Sequence, residues 1–386
     1  MNTDQSTFLQ RPNVAIVGAG PGGLVAANIL ERAGWRVRVF DADESAYVRD
    51  QGGTLDLHPE DGQLALAKAG LLDTFVAVAR YEDQGNRIVD YASAEVLRDV
   101  VPPLGAGDRP EIDRARLRDL LLAPLREETV CWGASVEQVS TLLDGRHALR
   151  LRTGDVESFD VVIGADGAWS RVRSALSDAQ PAYTGVTFVE LWMADVDRCH
   201  AEAAALVGRG TMFAIHGGRG IIAQRNGDAT LRIYAAFMTR PEDTDRPDRT
   251  LATISKDELL TRFAGWSPTL RSLIIDADRI AAVRPIVALP TGLGWHGCVG
   301  ITLIGDAAHV MPPLGVGVNL AMLDAAELAE ALIAHDDWRD ALRHYEATMI
   351  KRTMPIAVQC GEAFADMFGP EGAGFILKDF DSHEEE

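Results

Sequence analysis

One glycine-rich turn near the N-terminus constrains the fold of this chain more than any other feature. The turn, Gly18-Ala19-Gly20-Pro21-Gly22-Gly23, follows the apolar run of residues 14–17 and precedes a segment with helical spacing over residues 22–33. In a G-x-G-x-x-G pattern the first glycine permits a tight turn, the second lets backbone N–H groups approach a pyrophosphate, and the third lets the helix pack closely on the strand. The helix N-terminus adds partial positive charge. The pattern predicts a unit that binds a dinucleotide.

A second strand is expected directly after this helix. Gly34 ends the helix, and Val37, Val39 and Phe40 lead to Asp41, whose carboxylate is placed to accept a hydrogen bond from a ribose hydroxyl. A lone glycine pattern occurs in many ordinary turns, but a strand, turn, helix, second strand and acid in this order is typical of a Rossmann-like fold. The residues expected to contact the dinucleotide are Gly18, Gly20, Pro21, Gly22, Gly23 and Asp41.

Charge and composition exclude several classes of protein. The chain has 386 residues, is 47% hydrophobic and carries a formal net charge of -20, so it can bury a large core and would repel nucleic acids and anionic lipids. No apolar run reaches the roughly 18–20 residues that span a bilayer, and the N-terminus lacks the pattern of a signal peptide. The four cysteines are too far apart for a metal or redox motif. We expect a cytoplasmic monomer with no metal, no nucleic-acid partner and no membrane association.

The hydrophobic pattern changes twice along the chain. From about Tyr183 to Val287, short alternating segments are separated by turns such as Gly217-Gly218 and Asn226-Gly227, which is typical of antiparallel strands. Before and after this region, apolar strands alternate with helical segments, as in a parallel sheet. We predict an α/β fold with a discontinuous Rossmann-like cofactor-binding domain (residues 12–182 and 288–335), an inserted antiparallel-sheet substrate domain (residues 183–287) and C-terminal helices (residues 336–370).

Three helical segments are predicted outside the fingerprint. Leucines recur at helical spacing between Arg114 and Arg126, and a long apolar segment runs from about Val318 to Ala334. Residues 338–368 favour two helices. Pro355 is expected to separate them, because proline removes a helical hydrogen bond and clashes with the preceding turn.

Two later motifs lie where parallel strands are expected to end. The first is Asp160-Val161-Val162-Ile163-Gly164-Ala165-Asp166-Gly167, which continues to Arg173. The second is Gly305-Asp306-Ala307-Ala308-His309, followed by Pro312-Pro313 and residues 315–319. Either motif alone could be an ordinary turn with a solvated aspartate. Together with the glycine fingerprint, and in this order, they resemble the aromatic-hydroxylase-like (class A) flavin monooxygenases over essentially the whole chain.

This resemblance implies that the dinucleotide is FAD, bound non-covalently. It implies that Asp306 hydrogen-bonds the ribityl or phosphate part of FAD, and that Asp166 lies in a motif linked to FAD and to the nicotinamide cofactor. A loop after Pro313 would present backbone N–H groups and a helix N-terminus to the pyrimidine end of the flavin, where they stabilise negative charge on the reduced form. The residues of this flavin loop are Gly315, Val316, Gly317, Val318 and Asn319.

Three segments resemble the tetracycline-inactivating flavin monooxygenases in particular, namely residues 49–58, 111–118 and 306–313. This closer resemblance implies that Arg49 is associated with NADPH and that Asp56, Arg114 and Asp306 contact FAD. A guanidinium such as that of Arg114 suits a diphosphate because it stays charged and can bond two oxygens. The alternatives are a solvated surface arginine at position 49 and a helix-start charge at position 114.

The same resemblance implies a substrate region in the inserted sheet. Arg232 lies near the place of a substrate histidine and residues 190–192 occupy another substrate segment, so Glu190, Trp192 and Arg232 are expected to contact the substrate. The polar residues that hold tetracycline in the family have no clear counterparts here, and the flavin loop departs from the family's glycine-glutamine-glycine form. The resemblance therefore implies a flavin site more specifically than it implies a tetracycline substrate.

The sequence shows no catalytic triad, metal cluster or nucleophile, so the cofactor is expected to carry the chemistry. The resemblance implies that NADPH or NADH binds transiently and reduces FAD, and that a flavin C4a-hydroperoxide formed with O₂ hydroxylates a small aromatic, phenolic or polyketide-like substrate. His309 is expected to pack and hydrogen-bond. The alternatives are a flavin-dependent reductase, a halogenase-like enzyme (although the W-x-W-x-I-P motif usual in halogenases is absent) or a non-catalytic nucleotide-binding module of the same fold.

Overall fold

The computed structural model describes most of the chain, and the structural statements below refer to this part. The described residues are 11–48, 52–103, 107–239, 254–295, 298–370, 372 and 374–377. Arg49, the residue that the resemblance associates with NADPH, lies outside them.

The first sheet consists of five strands, which are β1 (Val14–Val17), β2 (Val37–Phe40), β7 (Val130–Cys131), β11 (Val161–Gly164) and β17 (Ile301–Leu303). They lie in the order β17-β11-β1-β2-β7, and every pair is parallel. β1, β11 and β17 are buried along their whole length, as is usual for a parallel sheet covered on both faces. Because the strands are parallel, the three motifs that follow β1, β11 and β17 meet at one edge of the sheet.

The second sheet is larger. Its seven strands are β4 (Gly85–Val89), β5 (Val96–Val100), β12 (Ala182–Met193), β13 (Gly210–His216), β14 (Arg219–Asn226), β15 (Thr230–Met238) and β16 (Arg279–Ala288). They lie in the order β16-β12-β15-β14-β13-β4-β5, with β4 and β13 parallel and the other pairs antiparallel.

One hairpin of this sheet comes from outside the residues that the sequence division assigns to the substrate domain. The hairpin β4–β5 comes from residues 85–100, which the division places in the cofactor-binding domain, yet it pairs with β13. Without the hairpin, β13 would be an edge strand with unpaired backbone N–H and C=O groups. The prediction of a turn at Gly217-Gly218 is confirmed, because both residues have the positive φ (55° and 73°) that a type I′ turn requires and they join β13 to β14.

The other strands of the described residues form two smaller sheets. β3 (Thr54–Asp56) and β6 (Glu111–Asp113) form an antiparallel pair, and β8 (Val136–Thr141), β9 (His147–Leu151) and β10 (Val156–Phe159) form an antiparallel sheet. The β3–β6 pair brings the first and second of the three segments that resemble the tetracycline-inactivating enzymes side by side. The backbone N–H of Arg114, for example, donates to the carbonyl of Gly53 at 3.2 Å.

The α-helices are α1 (Pro21–Arg32), α2 (Leu64–Ala69), α3 (Leu72–Val76), α4 (Arg114–Leu122), α5 (Val196–Cys199), α6 (Ala201–Val207), α7 (Lys256–Arg262), α8 (Pro268–Ile275), α9 (Asp306–His309), α10 (Gly317–Ala334) and α11 (Trp338–Met367). α4 ends at Leu122, before the predicted Arg126; Pro124 lacks the backbone N–H that would continue the helical hydrogen bonds. Within the described part of the chain, no helix has the length and apolar character needed to cross a bilayer.

The prediction of two C-terminal helices broken at Pro355 is wrong. α11 is continuous and Pro355 lies inside it. The helix continues because residues on one face are buried on both sides of the proline: Tyr345 and Met349 before it, and Cys360 and Phe364 after it. Packing of this face therefore outweighs a local penalty of about 3 kcal/mol for an interior proline.

The second sheet is packed on both faces. On one face, Val189 and Ile233 belong to a core with Phe263 and the helices α7 and α8. On the other face, Phe188 contacts the C-terminal part of α11, with the ring centroids of Phe188 and Phe364 6.3 Å apart. This second face also carries polar side chains, and it is the face turned toward the edge where the three motifs meet.

Candidate cofactor and substrate site

The glycine turn between β1 and α1 leaves room for a ligand at one position. Gly18 has a φ of +109°, and a Cβ there would lie 2.3 Å from the carbonyl oxygen of Ala165. A Cβ on Gly23 would lie 2.1 Å from the carbonyl oxygen of Gly18, whereas a Cβ on Gly20 would meet no atom within 4 Å. Gly18 and Gly23 are therefore required by packing within the protein. Gly20, the N-cap of α1, faces open space in front of the helix N-terminus.

The other two residues of the fingerprint shape the helix. Pro21 occupies the first turn of α1, where a missing N–H costs nothing. A Cβ on Gly22 would lie 2.7 Å from the carbonyl oxygen of Ala321, so glycine allows α1 to approach α10 closely. The structure thus gives Gly22 a packing role and leaves cofactor contact at this position as a prediction.

Asp41 supports the glycine turn directly. It is buried after β2, and its carboxylate accepts hydrogen bonds from the backbone N–H of Ala19 at 2.6 Å and of Asp43 at 2.8 Å. The guanidinium of Arg118 lies 3.9 Å from the same carboxylate. Asp41 therefore lies beside the fingerprint, where the sequence predicts it, and its bond to a ribose stays a prediction.

Arg114 and Asp306 lie within electrostatic reach of each other in a cleft next to this turn. Both side chains are accessible to solvent although protein surrounds them closely. Burial raises the pKa of Asp306, opposed by His309 and Arg114, and burial lowers the pKa of Arg114, opposed by Tyr234 and Asp306. Among the described residues, neither side chain has a hydrogen-bonded partner. A guanidinium and a carboxylate that face this cleft fit the diphosphate and the ribityl hydroxyls of FAD.

The flavin loop is held against β3. Gly315 has a φ of +90° with open space around it, and a Cβ on Gly317 would lie 3.9 Å from Oδ1 of Asp306. Asn319 is fully buried: its Nδ2 donates to the carbonyl oxygen of Asp56 at 2.9 Å, and its Oδ1 accepts from the backbone N–H of His58 at 2.9 Å. The side chain of Asn319 therefore fastens the loop to β3. The N–H groups of the first turn of α10, which includes Val318, have no acceptor within the helix.

Asp56 has a protein partner as well, because its carboxylate lies 3.0 Å from Nε2 of His58. Burial lowers the pKa of His58, but hydrogen bonds to Asp56 and Asp61 outweigh burial and raise the pKa to about 9. His58, Glu60 and Asp61 are close enough to share a metal ion. The ring nitrogens of His58 already lie 3.0 Å from Asp56 and 3.8 Å from Asp61, so this cluster is explained as a group of charged side chains that contact one another.

The carboxylate of Asp166 is hydrogen-bonded within its own loop. Its carboxylate accepts from Oγ of Ser170 at 2.6 Å and from the backbone N–H of Arg171 at 2.6 Å. Arg173, which the sequence reasoning did not single out, is buried and donates to the carbonyl oxygen of Ala307 at 2.9 Å. The second motif is thereby joined to the third. Direct contact of Asp166 with FAD or a nicotinamide remains a prediction.

Sequence reasoning also missed the residue that holds the Asp306 segment in place. Asp324 of α10 is fully buried, and its carboxylate accepts from the backbone N–H of Gly305 at 2.9 Å. It also lies 2.6 Å from Nε2 of His309 and 2.5 Å from the guanidinium of Arg352. Burial alone would raise the pKa of Asp324, but His309 and Arg352 outweigh it and lower the pKa. The sequence signal that could have identified Asp324 is its position, as an aspartate, on the apolar side of a long helix.

The three predicted substrate residues lie together on the polar face of the second sheet. Arg232 of β15 forms an ion pair with Glu190 of β12 at 2.7 Å, and both are buried. The guanidinium of Arg232 also lies over the ring of Trp192, 4.4 Å from its centroid. The same arginine donates to the carbonyl oxygen of Gly52 at 3.3 Å, which ties the sheet to the segment before β3.

Tyr234 and Arg284, which sequence reasoning missed, extend this cluster toward the cleft. Nε of Arg284 donates to Glu190 at 2.7 Å, and 54% of the Arg284 side chain is exposed. Burial and the charge of Glu190 raise the pKa of Tyr234, while Arg114 opposes them. The polar face of the sheet therefore adjoins the cleft that contains Arg114.

A Rossmann-type turn beside a charged cleft, with a second sheet next to it, is the arrangement of a dinucleotide-dependent enzyme. A family model described as "FAD binding domain" matches residues 11–348, and the chain belongs to this family. "Monooxygenase asqM" of Emericella nidulans is 31% identical over 374 residues, which cover 83% of this chain and 83% of that protein. The protein is a flavin-dependent monooxygenase with FAD as its cofactor.

Solved structures agree in fold. The HpxO protein of Klebsiella pneumoniae, complexed with FAD and uric acid, has a TM-score of 0.77 at 22% identity, covering 97% of this chain and 93% of that chain. The tetracycline destructase Tet(55) has a TM-score of 0.72 at 20% identity, covering 92% and 90%. The resemblance to these flavin monooxygenases is confirmed, and at such identities it establishes a common fold.

Asp306→Ala is expected to weaken FAD binding without unfolding the protein. The variant loses a hydrogen bond worth about 0.5–3 kcal/mol, which corresponds to a roughly 2- to 150-fold higher Kd. Fluorescence titration of the apoprotein with FAD measures the change, and Asp73→Ala, on the exposed side of α3, serves as the control. An unchanged Kd would show that Asp306 is not an FAD ligand.

Proposed function

We propose that this monooxygenase uses NADPH or NADH and O₂ to hydroxylate a small aromatic, phenolic or polyketide-like molecule, of which a tetracycline-like antibiotic is one candidate. Bound FAD, reduced by the nicotinamide, supplies oxygen activation: NAD(P)H + H⁺ + O₂ + R–H gives NAD(P)⁺ + R–OH + H₂O. The observation that carries the proposal is the junction of the FAD cleft with the polar sheet face at Gly53. Its carbonyl accepts from the backbone N–H of Arg114 at 3.2 Å, and a Cβ on Gly53 would lie 3.1 Å from the hydroxyl oxygen of Tyr234.

The residues at this junction suit a phenolic or enolic substrate. Arg284 contacts Glu190 through Nε, and within the described residues its terminal NH₂ groups have no hydrogen-bonded partner, so they can contact a ligand. A cation next to a phenol lowers the pKa of the phenol and favours the phenolate. A phenolate ring carbon is more electron-rich and accepts an electrophilic oxygen atom more readily. In this proposal Arg284 and Tyr234 orient the hydroxyl group of the substrate.

We also propose, from the sequence resemblance, that Arg49 guides the nicotinamide cofactor. Arg49 lies three residues before Gly52, which is attached to the polar sheet face through Arg232. An arginine in this segment would attract the phosphates of NADPH, and the 2′-phosphate adds nearly two negative charges. NADPH would bind transiently, since the sequence has a single nucleotide fingerprint.

The proposal predicts oxygen-dependent NADPH oxidation that is stimulated by substrate. FAD-loaded protein would be assayed against phenols, polyketides and alkaloids, with mass spectrometry for a product that has gained one oxygen atom. An assay of hydrogen peroxide separates hydroxylation from uncoupled oxidation. NADPH oxidation that proceeds equally without O₂, or the absence of oxidation of both NADPH and NADH with every compound, would contradict the proposed reaction.

A further inference from the structure

A large cavity lies on the face of the second sheet that packs against α11, at the end where β12 begins and β16 ends. Its volume is about 830 Å³, and its walls come from the ends of β12 and β16, the β13–β14 turn, the segment before the flavin loop and the C-terminal part of α11. Ligand pockets typically measure about 300–1,000 Å³. Because a cavity of about 150 Å³ accommodates one benzene ring, this cavity has room for several rings.

The walls of the cavity are mainly apolar. Val186, Leu289, Met311 and Phe364 contribute side chains, and Arg219 is the one charged residue among the described residues that line it. The guanidinium of Arg219 already donates to the carbonyl oxygen of Arg262 at 2.7 Å. Because the rest of the lining is mainly apolar, a carboxylate held against it would lose part of its hydration, whereas an uncharged aromatic ring would not.

Small residues on α11 create the space. Ala357, Gly361 and Ala365 follow one another at intervals of four residues, so they lie on one face of the helix, and all three line the cavity. A Cβ on Gly361 would meet no atom within 4 Å. Glycine is unfavourable in a helix interior, so its presence here is not explained by helix stability.

One wall of the cavity belongs to the chain segment that leads into the flavin loop. Met311 and Pro312 form part of its wall and lead through two residues to Gly315, where the flavin loop begins. The backbone N–H of Leu289, which follows β16, donates to the carbonyl oxygen of Val310 at 2.9 Å and fixes this wall to the end of the sheet. A ligand in the cavity would thus lie against the segment that precedes the flavin loop.

We propose that the cavity binds the body of the substrate, and that the substrate is an uncharged, mainly apolar aromatic molecule of more than one ring. Gly361 sets the upper limit of its size. The inference rests on the proposed function, because it takes the cavity as the substrate pocket of the monooxygenase. It excludes single-ring aromatic acids as preferred substrates.

The test compares two phenols and two leucine variants of the FAD-loaded protein. 4-Phenylphenol and 4-hydroxybenzoate would be titrated by calorimetry, which does not depend on turnover. 4-Phenylphenol is expected to bind at least about 10-fold more tightly, and Gly361→Leu is expected to weaken it by at least about 10-fold. Glu362→Leu adds the same side chain to an exposed position of α11 and is expected to change neither affinity.

The outcomes separate this inference from the proposed function. Tighter binding of 4-hydroxybenzoate, or equal binding of 4-phenylphenol to the wild type and to Gly361→Leu, would overturn the cavity assignment. If Gly361→Leu is unstable, Gly361→Ala takes its place, because alanine is expected to fold at least as well as the wild type. Its affinity for 4-phenylphenol is then compared with that of the wild type. Binding that depends on Gly361, but with no oxygenated product from any compound, would support the pocket and overturn the proposed function.

Discussion

Replacing Gly20 with valine is expected to abolish FAD binding while the protein stays folded. Gly20 has an extended backbone (φ -77°, ψ 175°) that valine adopts readily, and a Cβ there meets no protein atom within 4 Å. The added side chain would instead occupy the space in front of the α1 N-terminus, where the pyrophosphate is expected. Loss of two charge-assisted hydrogen bonds, at about 1.5–3 kcal/mol each, weakens binding at least about 100-fold.

The FAD content of the purified variant, released by heat and measured by absorbance, tests this expectation, with circular dichroism as the measure of folding. Gly294→Val is a matched control, because a Cβ there would meet its nearest atom, Cδ1 of Ile350, at 3.9 Å. Gly23→Val has the opposite expectation: its Cβ would lie 2.1 Å from a backbone oxygen, so the fold itself should suffer. Full retention of FAD by Gly20→Val would show that the pyrophosphate lies elsewhere.

Replacing Asp324 with alanine is expected to lower the free energy of unfolding by about 3–5 kcal/mol, the typical cost of leaving buried charges without a partner. His309, Arg352 and the N–H of Gly305 would all lose the same carboxylate. Urea titration measures the change. Glu327→Ala is the control on the same helix: Glu327 also pairs with Arg352 but is 32% exposed, so a loss below about 1 kcal/mol is expected.

The effect of Asp324→Ala should depend on pH. Burial lowers the pKa of His309, but Asp324 outweighs it and raises the pKa above 6.5, so the contribution of His309 is complete below pH 6.5 and is lost as pH rises through the raised pKa. The pKa of Asp324 is lowered from 3.8, so its contribution is complete above pH 3.8 and is lost as pH falls through the lowered pKa. The difference in the free energy of unfolding between the wild type and Asp324→Ala should be largest between pH 3.8 and pH 6.5. A difference that is small and independent of pH would contradict a buried ionic network.

The parallel sheet and the location of the cofactor site could be predicted because their signals are local. The turn at Gly18–Gly23 specifies its own backbone geometry, and apolar runs of four residues indicate buried strands wherever they occur. Since parallel strands end at one edge, the motifs at Asp41, Asp166 and Asp306 meet there in the structure. The predicted substrate residues Glu190, Trp192 and Arg232 also lie together, although the sequence did not indicate that the first and last form a buried ion pair.

The sequence by itself determined the order of the elements and the class of cofactor, because both depend on residues that are neighbours in the chain. The tertiary structure alone decided that Pro355 stays within one helix, that residues 85–100 complete the edge of the second sheet, and that Asp324 holds the segment of Asp306. It also decided that Gly361 faces a cavity. Each of these depends on contacts between segments far apart in the chain, where packing and the pairing of buried polar groups outweigh local preference.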